Sequence, residues 1–259
     1  MAKQTRGFCK YCGKEYTKGG MLRHLTACKK RKEVLEKENS QKRCGYFQIV
    51  ISGKYSNAYW LIIEISENAT LKDLDGFIRD IWVECCGHLS AFMINGIEYE
   101  DSEFMGDIWD SSVESTECKL KSVVSVGDII AYEYDFGSTT ELVLKVHSYR
   151  MGARKKEKIT ILSRNNPLEI ICSQCGKNRA DWINTYDYYG EKPFWCEECL
   201  KKSAIEEECG DDCDDYYDDC ENCDEIYEYM LPVCNSPRMG VCGYEGSRIY
   251  PDQFEPDEK

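Results

Sequence analysis

Seventeen cysteines occur among the 259 residues, and their spacing says more than their number. Four pairs follow Cys-x-x-Cys: Cys9/Cys12, Cys172/Cys175, Cys196/Cys199 and Cys220/Cys223. Such a turn bends the backbone into a knuckle presenting two thiolates on one side, half of a tetrahedral zinc site. An odd thiol count at these spacings points to metal ligation rather than disulfides in a chain kept reduced. No apolar stretch follows Met1–Arg6, and none approaches the 18 residues of a membrane span, so a soluble, cytoplasmic chain is expected.

The first pair belongs to Cys9-x-x-Cys12, an 11-residue gap, His24, three residues and Cys28. This resembles the ββα zinc finger, with Cys in the last ligand position and a loop one residue short. Tyr16 sits where that module keeps its core aromatic, and Met21 and Leu22 flank its core leucine. His24 and Cys28, at i and i+4, share a helix face and close the tetrahedron. About 30 residues bury too little surface to fold alone, so the metal must supply the stability. Around the ligands, Lys14, Lys18, Arg23, Lys29, Lys30, Arg31 and Lys32 form a basic surface suited to phosphate. A partner protein is the other candidate for that surface, since one finger reads only about three base pairs.

The second and third pairs are separated by 20 residues between Cys175 and Cys196, the separation of a four-Cys zinc ribbon. Cys172, Cys175, Cys196 and Cys199 leave no open coordination position, so the expected role is structural. Two Zn2+ ions are expected. A third requires Cys209, Cys213, Cys220, Cys223, Cys234 and Cys242 to gather, with Cys220/Cys223 joining either flanking pair. Calcium at 211–219 is disfavoured because the Asp-x-Asp-x-Asp-Gly ladder is missing.

Charge divides the chain. Residues 1–43 hold 13 Lys and Arg against 4 acids, whereas the remainder holds 20 against 43. Residues 206–228 carry 13 acids and no Lys or Arg, a solvated loop or a surface for a basic partner. Nucleic acid would be repelled by most of this molecule. At a Debye length of about 8 Å, a finger on a projecting arm would barely feel that repulsion. Three domains follow: a basic finger and linker over 1–43, an α+β body over 44–163, and a ribbon with an acidic Cys-rich tail over 164–259.

The body supplies the positioning elements. Residues 47–51 and 58–65 are rich in aromatic and β-branched residues and read as strands. Thr70-Leu-Lys-Asp73 opens a helix as a capping box, and Leu71, Leu74, Phe77, Ile78, Ile81 and Trp82 form its apolar stripe. Asn95-Gly96 turns a hairpin between 91–94 and 97–99. A second hairpin spans 128–134 and 141–146, and 158–163 adds a strand. The expected fold is α+β, a helix packed on a mainly antiparallel sheet flanked by the two zinc modules.

The phrases Phe77-Ile-Arg-Asp-Ile-Trp82-Val-Glu-Cys-Cys-Gly-His-Leu-Ser-Ala-Phe92 and Tyr134-Asp-Phe-Gly137 resemble the Ri-plasmid ORF-three-like family, also described as transposon passenger TnpR-like proteins. The resemblance spans roughly residues 45–150 and implies a compact α+β domain of mobile-element and prokaryotic genomes, in a regulatory or defence setting. Where the family continues after Asp-Phe-Gly with Asp, Trp and His, this chain reads Ser138-Thr-Thr-Glu-Leu142, so a site built on that Trp and His is absent. Residues 231–244 resemble the C-terminal part of zinc-ribbon-bearing relatives. No Arg-rich serine-nucleophile constellation supports strand exchange.

Three functions compete. A non-enzymatic zinc protein binding nucleic acid or a partner through its finger fits best. A protein-binding scaffold or nucleic-acid mimic would act through 206–228. An enzyme would draw on Cys85, Cys86, His88 and Asp135, since a thiol beside an imidazole can act as a nucleophile pair. Cys-Cys-Gly-His at a helix end is explained more simply by packing, and His147 by a place on the surface.

Overall fold

The computed structural model describes residues 4–38, 42–101, 113–208 and 227–257. β1 (Arg6–Phe8) and β2 (Glu15–Thr17) form a small hairpin, followed by α1 (Lys18–Ala27) and α2 (Lys29–Lys37). The body begins with β3 (Arg43–Gly53) and β4 (Trp60–Ser66), then α3 (Leu71–Ile78), which continues as a π-turn over Arg79–Val83. β5 (Ser90–Ile94), β6 (Ile97–Glu100), β7 (Val113–Ser115), α4 (Leu120–Val123), β8 (Ile129–Tyr134), β9 (Thr140–Ala153) and β10 (Ile159–Arg164) complete it. The ribbon supplies β11 (Trp182–Asn184), β12 (Phe194–Trp195), α5 (Glu197–Glu208) and β13 (Met230–Pro232).

Eight strands make the main sheet in the order β10-β4-β3-β9-β8-β5-β6-β7, antiparallel except where β6 meets β7. The local signals act as expected. Thr70 accepts from Asp73 N–H while the Asp73 carboxylate accepts from Thr70 N–H, the reciprocal capping box. Asn95 and Gly96 take the positive φ angles, 51° and 83°, that their tight turn requires. The helix departs from expectation at its end, where Glu84 N–H reaches back to Arg79 C=O, five residues away.

β4 explains why Tyr59-Trp-Leu-Ile-Ile63 is continuously apolar instead of alternating. Leu61, Ile63 and Ile65 face the core under α3, together with Leu74, Ile78 and Trp82. Trp60 and Ile62 point to the opposite face, where with Val50 and Leu162 they pack against Cys9, Tyr11, Met21, Leu25 and Cys28 of the finger. Both faces are covered, so both are apolar. The finger therefore does not project. It lies on the sheet, stitched by Lys10 N–H to Leu162 C=O at 2.9 Å and Asn166 N–H to Arg6 C=O at 2.7 Å. Gly7 permits this approach, because a Cβ there would stand 2.0 Å from the Arg164 carbonyl oxygen.

The next residue on that face is Glu64, 2% exposed. Arg31 of α2 donates to it at 3.1 Å, Arg150 of β9 makes a closer bidentate contact, and Lys155 lies at 3.8 Å. Arg31 is thus turned inward, also donating to Leu25 C=O at 2.9 Å, and is not part of an outward phosphate surface. Burial pushes the Glu64 carboxyl up, but Arg150, Arg31 and Lys155 together outweigh it and hold the group below the ordinary range. Removing this anion leaves the buried Arg31 guanidinium and the half-buried Arg150 uncompensated, which costs about 3 kcal/mol. Glu64→Gln is expected to lower the urea midpoint of the metal-loaded chain accordingly. Because the folded-state pKa is depressed, the carboxylate's stabilisation is present above the unfolded pKa and disappears as pH falls through the folded one. The wild-type-minus-variant difference should therefore shrink on acidification, and a difference independent of pH would contradict the ion-pair account.

Candidate metal centres

The two knuckles share one geometry. In the finger, Gly13 N–H donates to Cys9 C=O at 3.0 Å; in the ribbon, Gly176 N–H donates to Cys172 C=O at 2.9 Å. Both glycines take φ +65°, which a side chain would oppose. The finger helix is capped by Thr17, whose hydroxyl accepts from Gly20 N–H. It sets His24 Nε2 at 3.2 Å from Cys12 Sγ, with the imidazole stacked on Tyr16 at 4.3 Å between centroids. The donor atoms of Cys9, Cys12, His24 and Cys28 all lie within 4.8 Å of one another, as do those of Cys172, Cys175, Cys196 and Cys199. Burial pushes the Cys9 thiol up to about 12, so a cation must offset the cost of ionising it. The Asn178 and Lys177 N–H groups draw Cys175 down to about 6, prepared for the thiolate. Either group can hold a metal ion.

A third group adds Cys242 to Cys85, Cys86 and His88, from which sequence reading kept it apart. Cys85, Cys86 and His88 follow the π-turn after α3, and Cys242 arrives from the far end of the chain. Cys86 Sγ lies 2.9 Å from His88 Nε2, which is 3.2 Å from Cys242 Sγ; Cys86 and Cys242 are 4.0 Å apart and Cys85 and Cys86 3.6 Å. On the other side of the ring, His88 Nδ1 is 3.5 Å from Asp135 Oδ1. Fully buried Arg238 donates to Asp135 Oδ2 at 2.7 Å and to Cys85 Sγ at 3.5 Å. This group, too, can hold a metal ion. Cys234 is buried elsewhere and does not join Cys242, while Cys209, Cys213, Cys220 and Cys223 lie outside the described residues.

Of the basic side chains, Lys14, Arg23, Lys29, Lys30 and Lys32 are exposed. Lys18 is half-buried, reaching Ser52 Oγ at 3.2 Å, and burial lowers its pKa. Beside it, a cleft of about 770 Å³ opens between the start of α1 and the β3–β4 loop, lined by Lys18, Arg23, Tyr55, Asn57 and Trp60. His147 is exposed, as expected. Most of the acidic segment 206–228 lies outside the described residues.

Residues 47–169 match the family model of the plasmid pRiA4b ORF-3-like protein. This supports the family for the central segment, in keeping with the Phe77–Phe92 and Tyr134–Gly137 phrases. The crystal structure of a protein of unknown function from Methanosarcina mazei Go1 is similar over 46% of this chain and 67% of that one, at 19% identity and a TM-score of 0.37. No curated protein gives a match. The ORF-3-like segment contains Cys85, Cys86, His88 and Asp135, whereas both knuckle modules and Cys242 lie outside it. Among the described residues no helix is long and apolar enough to cross a membrane.

Trp60, 1% exposed beneath the finger, reports on whether the metal holds that module in place. Cys12→Ser is expected to remove one equivalent of metal per chain and shift tryptophan emission to longer wavelength as the finger loosens. Unchanged metal content and emission would show that the finger packs without an ion.

Proposed function

We propose that the chain is a non-enzymatic zinc-binding protein whose docked finger contacts the phosphate backbone of nucleic acid. The cleft beside α1 carries this reading. It combines the cations of Lys18 and Arg23, the acid-free first turn of a helix N-terminus, and the ring of Tyr55, which is 81% exposed. Backbone N–H groups and cations attract phosphate, and an exposed aromatic offers a stacking face to an unpaired base. Gly19 and Gly20 in the first helical turn present no side chain to a base edge, so recognition of the backbone is favoured over sequence readout. The exposed Lys14, Lys29, Lys30 and Lys32 extend the basic surface, and the closed ligand sets of the finger and ribbon give zinc a structural role. The plasmid origin of the family description fits a mobile-element setting.

A second reading has one observation in its favour. Cys86, His88 and Asp135 are spaced like a nucleophile, its base and the base's orienting carboxylate. Against it, Cys242 Sγ competes for the same His88 nitrogen at 3.2 Å, an arrangement better suited to a metal ligand.

Fluorescence anisotropy with single-stranded and duplex oligonucleotides at two salt concentrations tests the proposal. Affinity should fall steeply with salt, and Arg23→Glu should weaken binding about tenfold or more, with a salt slope shallower by about one. Tyr55→Ala should weaken single-strand binding by about 1–3 kcal/mol and duplex binding less. Absence of binding at low salt, or equal binding by the Arg23 variant, would contradict it.

A further inference from the structure

The group at Cys85, Cys86, His88 and Cys242 differs from the two knuckles in having no local spacing. Its members come from two segments more than 150 residues apart, yet the donor atoms converge within 4.8 Å. With Zn–S near 2.3 Å and Zn–N near 2.0–2.1 Å, a tetrahedral site has edges of about 3.8 Å between sulfurs and about 3.6 Å between sulfur and nitrogen. The sulfur separations of 3.6 and 4.0 Å fall on the first value. The contacts of His88 Nε2, 2.9 and 3.2 Å, are somewhat tighter. In the finger the corresponding His24–Cys12 separation is 3.2 Å, so the two His-containing groups are alike.

The surroundings are those of a metal centre rather than of loose thiols. Asp135 lies against the far nitrogen of His88, the arrangement that fixes a ligating imidazole's tautomer and raises its basicity. Asp135 is itself anchored by Arg238 and by Gly137 N–H at 3.1 Å. A Zn2+ with three thiolates and one imidazole carries one net negative charge, and the buried Arg238 guanidinium stands against Cys85 Sγ to offset it. Cys242 takes φ +51°, one of three non-glycine residues with positive φ among those described. That conformation is unfavourable for cysteine and persists where the surroundings impose it.

We infer that Cys85, Cys86, His88 and Cys242 bind a third Zn2+, which clasps the returning C-terminal segment onto the end of α3. The same segment is already threaded into the body. Ser236 Oγ donates to Trp82 C=O at 2.6 Å, Trp82 Nε1 donates to Asn235 C=O at 3.1 Å, and Arg238 donates to Ser138 C=O at 3.0 Å. The ion closes that path at its outer end. Cys86 and Cys242 are exposed, so this centre is open to chelators and alkylating reagents that reach the buried Cys9 and Cys172 slowly.

Elemental analysis of the reduced, zinc-loaded full chain tests the inference. Cys86→Ser/Cys242→Ser should hold one zinc fewer per chain than wild type, with circular dichroism and oligonucleotide binding unchanged. A measurement on the wild type needs no variant: Cys86 and Cys242 should be alkylated by iodoacetamide at least tenfold more slowly with zinc bound than after chelation, as read by peptide mass spectrometry. His88→Gln should abolish that protection. Equal zinc content in wild type and double variant, or alkylation of Cys86 at one rate with and without zinc, would overturn the inference.

Discussion

Thiolates gathered within 4.8 Å repel one another unless a cation stands between them. Two unit charges 4 Å apart interact by about 4 kcal/mol even at an effective dielectric constant near 20. The finger and the ribbon are each too small to fold on their own apolar surface, and an ion held by each group would supply the missing stability. On the reading proposed above, cation–thiolate attraction would hold the groups near both ends of the chain, with an apolar sheet between them.

β4 converts that local requirement into a global one. Its two apolar faces demand two covers, and the chain provides α3 for one and the finger for the other. The Glu64 carboxylate on the finger side is satisfied only if Arg31 and Arg150 both reach it. Docking of the finger thus has a polar register as well as an apolar area. It also places the basic module against a strongly acidic molecule, where salt screening over a distance no longer separates the two. The nucleic-acid contact proposed above would then depend on the exposed face of the finger, at short range.

Much of this was legible in the sequence. The Cys9/Cys12, Cys172/Cys175 and Cys196/Cys199 pairs, the Thr70 capping box and the Asn95-Gly96 turn are short-range signals, and each acts through its immediate neighbours. Residues 58–65 read as a strand from their aromatic and β-branched side chains, but that both of its faces are covered, one of them by the finger, was not read from the sequence. Arg31 was indistinguishable from Lys29, Lys30 and Lys32 within a basic run, because helical rotation, not composition, turns one member of the run inward. The group at Cys85, Cys86, His88 and Cys242 was the hardest to see. Its separation in sequence exceeds 150 residues, and only the threading of Asn235, Ser236 and Arg238 through the body brings the segments together.

If every centre is a closed thiolate cage, zinc in this protein never coordinates solvent. X-ray absorption at the zinc edge of the fully loaded, reduced chain addresses that claim directly. The three described groups together supply ten sulfurs and two imidazole nitrogens. The expected spectrum is therefore dominated by sulfur at about 2.3 Å, with a minor nitrogen contribution and no water oxygen. A first shell with substantial oxygen, or cysteines recovered as disulfides instead of zinc ligands, would contradict the account.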